Sequence, residues 1–147
     1  MEIKEINKSE IHIIKGLWEK LNKIHLHDSI HFKDHFETFT FEKRCKKLIS
    51  KNSNKIKIDV LFNEQLPVGY CISTIDDETG EIESLYVEEQ FRKFGYGSKL
   101  VERGIFWLEA NQCKNIDVSV AAGHESVFNF YKRFGFQPRM ISLRCKK

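Results

Sequence analysis

A chain of 147 residues has room for one domain around a single sizeable core. It is 41% hydrophobic and 31% charged, as a soluble globular protein is, and no apolar run is long enough to span a membrane. With 24 basic and 21 acidic side chains the net charge is +3, too small to argue for nucleic acid as a partner.

Residues 1–6 alternate and predict a first strand. Ser9 offers an N-cap for an amphipathic helix over residues 10–25, with Ile14, Leu17, Trp18, Leu21 and Ile24 as its apolar stripe. Residues 25–40, rich in His, Phe and Asp, have no clean period and read as a loop or an irregular helical turn. Phe41, Cys45, Leu48 and Ile49 predict a second helix ending near Ser50, and residues 51–55 a turn. Three strands follow, over residues 57–62, 68–75 and 81–87, joined by the hairpin segments NEQLP and DDETG. After a basic, glycine-bearing loop, Val101, Ile105 and Leu108 mark a helix over residues 98–111. A strand over 116–120 and a helix over 124–134 come next, with Gly135 as the stop and one or two short strands over 136–144. The order is β-α-α-β-β-β-α-β-α-β. This is an α+β fold in one domain, residues 1–147, with a mixed, mostly antiparallel sheet flanked by helices.

The charged start, MEIKEINKSE, has no apolar h-region and predicts no signal peptide. Cys45, Cys71, Cys113 and Cys145 are scattered and read as reduced thiols of a cytoplasmic protein. The charge is split along the chain. Residues 1–89 carry a net of −4 and residues 90–147 a net of +7, so the two parts are expected to face ligands of opposite sign.

The most informative stretch is VEEQFRKFGYGS, residues 87–98, where a strand enters a basic loop and the loop enters a helix. Such a junction presents free backbone N–H groups and the positive end of a helix dipole. Gly95 and Gly97 let a ligand approach the backbone, and Arg92 and Lys93 add charge, which together make a diphosphate cradle. Leu100 stands where a dinucleotide fingerprint needs its third glycine, and the glycine spacing is wrong for a Walker loop.

Arg92-Lys93-Phe94-Gly95-Tyr96-Gly97, after the strand Glu83–Val87, resembles the acetyl-CoA loop of GNAT-type N-acetyltransferases. The segment HESVFNFYKRFGF, residues 124–136, is similar to that family's helix near the C-terminus, with Phe130-Tyr131 and Gly135-Phe136 as its ending. The two motifs lie in the family's order, and the element order matches over nearly the whole chain. The resemblance implies acetyl-CoA as co-substrate, held by Leu85, Tyr86 and Val87 through their main chain, by residues 92–98 (Ser98 included), and by His124 and Asn129 on the later segment. The family often has Asn seven residues before the tyrosine, where this chain has His124.

Acetyl transfer to an amine needs a base, because the acceptor arrives as a cation with a pKa near 10.4, the value of Lys. It also needs donors for the carbonyl oxygen and a proton for the leaving sulfur. Glu81 and Glu83 are two apart on one strand, so they are expected to share a face with Leu85 and Val87. The resemblance puts the base at either glutamate, and Glu83 is slightly preferred because it lies nearer the cofactor loop. It makes Tyr131 the acid. The amine pocket is expected in the first helices and their loop, where Asp28, His31, Phe32 and Phe36 offer charge and cation–π contact. His27, His31 and His35 would share a face only if that loop were helical, and no metal is expected.

The leading function is therefore acetyl-CoA-dependent N-acetylation of a primary amine, expected to belong to a small molecule, by direct transfer in a ternary complex. A catalytically silent acyl-CoA-binding or regulatory module and a protein N-acetyltransferase are the alternatives. Neither nucleic acid nor a membrane is expected as a partner, and a homodimer through exposed edge strands is compatible with the resemblance.

Overall fold

The computed structural model describes Met1–Lys147. Its sheet has five strands in the order β1-β2-β3-β4-β5. They are β1 (Glu2–Ile6), β2 (Ile56–Asn63), β3 (Leu66–Asp76), β4 (Thr79–Val87) and β5 (Asn115–Val118). The first four pair antiparallel, and β5 lies parallel to β4. The crossover between these two is α4 (Tyr96–Ala110), the βαβ unit that the sequence pattern predicts. No helix is long and apolar enough to cross a membrane.

The helices divide between the two faces. On one side a 3₁₀ stretch (Lys8–Ile14) leads into α1 (Lys15–Asp28), followed by α2 (Lys33–Thr38) and α3 (Phe41–Ile49). Ile14, Leu17, Trp18, Phe41 and Leu48 pack there on Ile58, Val60, Tyr70 and Ile72 of the sheet. On the other side α4 lays Leu100 and Leu108 against Leu61, Val68, Cys71 and Ile82. Period-2 burial on β3 sends Tyr70, Ile72 and Thr74 to the first side and Cys71, Ser73 and Ile75 to the second.

Three expectations are corrected. Residues 25–40 are not a loop: α1 continues to Asp28, Ser29 turns extended with φ −70° and ψ 132°, and α2 follows. Phe36 and Phe39 anchor α2 by tertiary contact, on His25 and Trp18, which no local period could announce. The expected helix over 124–134 shrinks to a 3₁₀ turn (Glu125–Val127) and α5 (Phe128–Lys132). The strand expected over 136–144 does not form. Pro138 cannot donate to a ladder, and Met140, Ile141 and Leu143 lie exposed instead of packing on the sheet.

Candidate active site

Two interruptions in β4 create the site. The first is a β-bulge. Ile72 pairs with Ser84 and Ser73 with Ile82, so Glu83 is the extra residue. The bulge reverses the alternation beyond it. Tyr86 packs in the α1–α3 core, whereas Val87 and Leu85 pack on the α4 side. Glu81 and Glu83 do share a face, but it is not the face of Leu85 and Val87, and the expectation of a common stripe is corrected on this point.

The second interruption is the end of β5. Its register with β4 runs only from Thr79–Asn115 to Ile82–Val118, so on the side away from β3 no strand pairs with residues 83–87. Glu88 N–H donates to the Val68 carbonyl (2.8 Å), while Gly69 and Val87 face each other across the β3–β4 pair. The main-chain groups of Leu85 and Val87 therefore point away from β3, toward the open side. The Val87 carbonyl is taken there by Arg92 Nε at 2.7 Å.

Glu81 and Glu83 form one hydrogen-bonded carboxyl pair on the α1–α3 side. Arg44 Nη2 donates to Glu83 Oε1 (3.1 Å) and to the Glu83 carbonyl oxygen (3.3 Å), and Thr74 Oγ1 donates to Glu83 Oε2 (3.1 Å). Burial pushes the Glu81 carboxyl up to about 7, helped by its hydrogen bond to Glu83, by the Glu83 charge and by Asp117, its cross-strand neighbour on β5. Burial acts on Glu83 in the same upward sense. It is outweighed by hydrogen bonds from Glu81, Arg44 and Thr74 and by the Arg44 charge, which hold Glu83 below the usual carboxylate range. Of the two, Glu81 is the carboxyl held above the ordinary range and Glu83 the one held below it.

The loop after β4 ends in a helix start of the kind phosphate groups occupy. Lys93 (φ 69°) and Gly95 (φ 84°) are both left-handed, and Gly95 is the N-cap of α4. Lys99 N–H is bonded back to the Gly95 carbonyl (3.1 Å), so the N–H groups of Tyr96, Gly97 and Ser98 precede the first helical bond. A Cβ at Gly97 would stand in ordinary contact with the Phe130 ring at 3.7 Å, so a branched side chain there would reach into the space between α4 and α5. Arg92, Lys93 and Phe94 are exposed, and Tyr96 lies under the Lys99 ammonium (5.5 Å). Arg133 Nη2 reaches Ser98 Oγ at 3.2 Å and adds a cation that the sequence reading did not single out. Free N–H groups, a bare glycine and several cations suit a diphosphate. The donor set therefore fits coenzyme A at this loop.

Tyr131 sits on α5, half-buried against Phe130 and Phe136 on the α4 side. Burial, and next the Cys71 thiol, raise its hydroxyl above the ordinary phenol range, with no hydrogen bond contributing. It is held as a protonated donor. The side chain of Tyr86 is used structurally. Its hydroxyl donates to Glu88 Oε1 (3.1 Å), Glu88 pairs with Lys20 (2.7 Å), and the Arg92 guanidinium lies 5.3 Å over its ring.

The remaining expected residues divide. His124 Nδ1 lies 3.3 Å from Asp28 Oδ2, and its ring stands edge-on to His25 at 5.0 Å. Phe36 packs on the same His25 (5.7 Å). His124, Asp28 and Phe36 are thus brought together, joining the end of α1 to the loop after β5. Gly123 makes this possible: its φ is +96°, and a Cβ there would overlap the Asp28 carbonyl. His31 and Asn129 are exposed, and Phe32 uses its N–H to bond Ser29 Oγ (3.1 Å). His27, His31 and His35 fall on α1, the linker and α2, and no group of three or more His, Cys, Asp or Glu is gathered around a metal position. A groove of about 550 Å³ lies elsewhere, lined by Met1, Ile3, Leu61, Tyr96 and Phe106 among others, and takes in neither Glu81 nor Glu83.

Besides Arg133, the structure places Arg44 and Thr74 in the candidate site, and the sequence reading named neither. Arg44 had a signal: it occupies the second place of the spacing Phe41, Arg44, Cys45, Leu48, and a cation within a buried stripe points to a buried anion.

Residues 18–136 match the acetyltransferase (GNAT) family. The chain belongs to this family. An uncharacterized N-acetyltransferase of Methanocaldococcus jannaschii is 28% identical over 82 residues, which are 51% of this chain and 36% of that protein, so the match spans about a third of the curated relative. Among solved structures, the paia N-acetyltransferase of Thermoplasma acidophilum in complex with coenzyme A superposes with a TM-score of 0.77 at 16% identity, over 97% of this chain and 94% of that one. Aminoglycoside N-acetyltransferase AAC(6')-Iy, in complex with a bisubstrate analogue of CoA and acetylneamine, does so with 0.68 at 15%, over 99% and 98%. At these identities the likeness is one of fold.

Proposed function

We propose that this GNAT protein transfers the acetyl group of acetyl-CoA to the primary amine of a small molecule, directly, with both substrates bound together. The observation that carries the reading is the open edge of β4. It lies between a diphosphate-binding helix start and a carboxyl whose pKa sits near neutrality. In this assignment Tyr96, Gly97 and Ser98 N–H groups, with Arg92, Lys93 and Arg133, take the phosphates. The Leu85 and Val87 main chain lies along the pantetheine arm. Bound acetyl-CoA supplies an activated acetyl group on sulfur.

Glu81 serves as the base. A carboxyl poised near 7 is ionised at slightly alkaline pH and is a stronger proton acceptor than an ordinary carboxylate, which lowers the cost of deprotonating an ammonium group as the C–N bond forms. Glu83, already committed to Arg44 and Thr74, stays ionised and adds attraction for the incoming cation. As the C–N bond forms the nitrogen sheds its second proton to solvent, and as the C–S bond breaks Tyr131 gives its proton to the sulfur and regains one from solvent. A small-molecule acceptor is supported by the aminoglycoside enzyme of the same fold, whose bound analogue joins CoA to an amino sugar.

The test is thiol release from acetyl-CoA over a panel of primary amines: alkyl monoamines, diamines, polyamines, aminoglycosides and N-terminal peptides. Turnover is expected with one of the small cationic amines and loss of it with E81Q. Tight CoA binding without thiol release from any amine would overturn the enzymatic reading in favour of an acyl-CoA-binding module, and turnover confined to peptides would overturn the acceptor class.

A further inference from the structure

We propose that Arg44 is a positioning residue of this site: its guanidinium grips Glu83 by side chain and main chain together at the β4 bulge, and so assigns proton transfer to Glu81. The inference rests on the reading of Glu81 as the base.

The geometry has three parts. One nitrogen of Arg44 makes both contacts, 3.1 Å to the carboxylate and 3.3 Å to the carbonyl of the same residue. The second contact fixes the bulged residue itself, because the extra residue of a bulge has its main chain released from the ladder. The pair is largely withdrawn from solvent, with 17% of the Arg44 side chain and 13% of the Glu83 side chain exposed. A charge pair so placed is not an incidental surface contact, since either partner alone is left as a poorly solvated charge.

Two neighbouring carboxyls with no cation between them share one proton ambiguously. The surroundings of Glu81 remove that ambiguity. Glu83 faces it from its own strand, Asp117 from β5, the Thr74 hydroxyl from β3, and Arg44 from α3. The only cation of this set bonds Glu83 and not Glu81. Thr74 adds a second donor to the same carboxylate. Every donor in the set other than Glu81 itself is spent on Glu83, so the proton and its transfer fall to Glu81. The cation comes from α3, outside both proposed cofactor-binding segments, and holds the neighbour of the base rather than the base itself.

The experiment is a pH titration of the side-chain carboxyls by NMR in the full chain labelled at glutamate Cδ, with E81Q and E83Q used for assignment. It needs neither acceptor nor turnover. In the wild-type chain one carboxyl is expected to titrate near 7 and to vanish in E81Q. In R44Q the Glu83 step should rise by about one to three pH units, the change expected on removing an adjacent opposite charge. R44K should restore part of that change, since it keeps the charge and loses the planar donor geometry. CoA affinity by calorimetry should stay within about twofold in both, because Arg44 lies apart from the phosphate loop. In an E83Q background, R44Q should move the Glu81 step much less than in the wild-type background, a non-additivity that a general loosening of the fold does not produce. Unchanged steps in R44Q, or equal effects in both backgrounds, would overturn the role of Arg44 and leave Glu81 as the base. A wild-type Glu81 step in the ordinary carboxylate range would overturn the base reading itself. If R44Q does not fold, E83Q alone decides: its Glu81 step should fall toward the ordinary range, and failure to fall refutes the coupling.

Discussion

Replacing Glu81 by Gln should abolish turnover and stabilise the fold, with the stabilisation confined to neutral and alkaline pH. The carboxyl is displaced in the fold from 4.5 to about 7. A carboxyl raised in this way binds its proton more tightly folded than unfolded. The native state is therefore penalised as pH rises above the unfolded value, and the penalty is complete once pH passes the folded value. At about 1.4 kcal/mol for each pH unit of displacement, a dry site would lose roughly 3 kcal/mol. Glu81 is only half-buried, so solvent screening reduces this to about 1.5 kcal/mol. The Gln amide keeps a donor for Glu83 and removes the ionisable proton. For a chain of this size the gain corresponds to about 3–6 °C in Tm. Thermal unfolding of both proteins at pH 5 and pH 8 is the assay. E81Q should melt higher at pH 8 and close to wild type at pH 5. Curves separated by the same amount at both pH values would refute the reasoning, because a titrating group cannot produce them.

Three further substitutions test other parts of the site. Tyr131→Phe should lower kcat by about 10–100-fold with CoA affinity retained, a modest loss of general-acid catalysis; an unchanged kcat returns Tyr131 to a packing role. Gly97→Val places branches against the Phe130 ring, where even a Cβ already stands at 3.7 Å, and should weaken CoA binding by calorimetry at least tenfold, whereas full affinity would move the phosphates elsewhere. Gly123→Ala meets both a φ of +96° and the Asp28 carbonyl, and should cost about 2–4 kcal/mol in urea unfolding; a neutral result would mean that the end of α1 does not rest on this loop.

Residues that act through local chain geometry were legible in the sequence. Gly95 needs only its own φ and the helix that follows, so the glycine loop and the start of α4 can be read from a dozen letters. The βαβ crossover follows from the same local periods. The bulge at Glu83 was not legible, because a bulge is a relation between two strands. Glu81, Glu83, Leu85 and Val87 read as one uninterrupted stripe until Ile72 and Ser73 are laid opposite Ser84 and Ile82. The absent last strand is the converse case. Residues 136–144 have strand-like letters, but a strand needs a partner, and nothing local states that the outer edge of β5 stays unpaired. Arg44 stands between these cases: its place in an apolar stripe announces a buried partner, and only the tertiary fold says that the partner is Glu83.

The division of charge along the chain acquires a mechanism once Arg44 and Asp117 are placed. Each crosses the division: Arg44 is a cation within the acidic part, and Asp117 an anion within the basic part. Arg44 offsets the charge of Glu83, and Asp117 helps to keep Glu81 protonated, so the acceptor face presents one titrating carboxyl in place of two fixed anions. The same group then both attracts the amine and deprotonates it. This has a kinetic consequence. The acid limb of kcat/KM reports the free enzyme and should lie near 7. With a cationic acceptor bound beside it, the ionised form of Glu81 is favoured, so the acid limb of kcat should lie lower by about one pH unit or more. Stopped assays of thiol release between pH 5 and 9, with acetyl-CoA saturating and the amine varied, separate the two limbs. Coincident limbs would show that the amine binds away from Glu81 and that its proton leaves by another route.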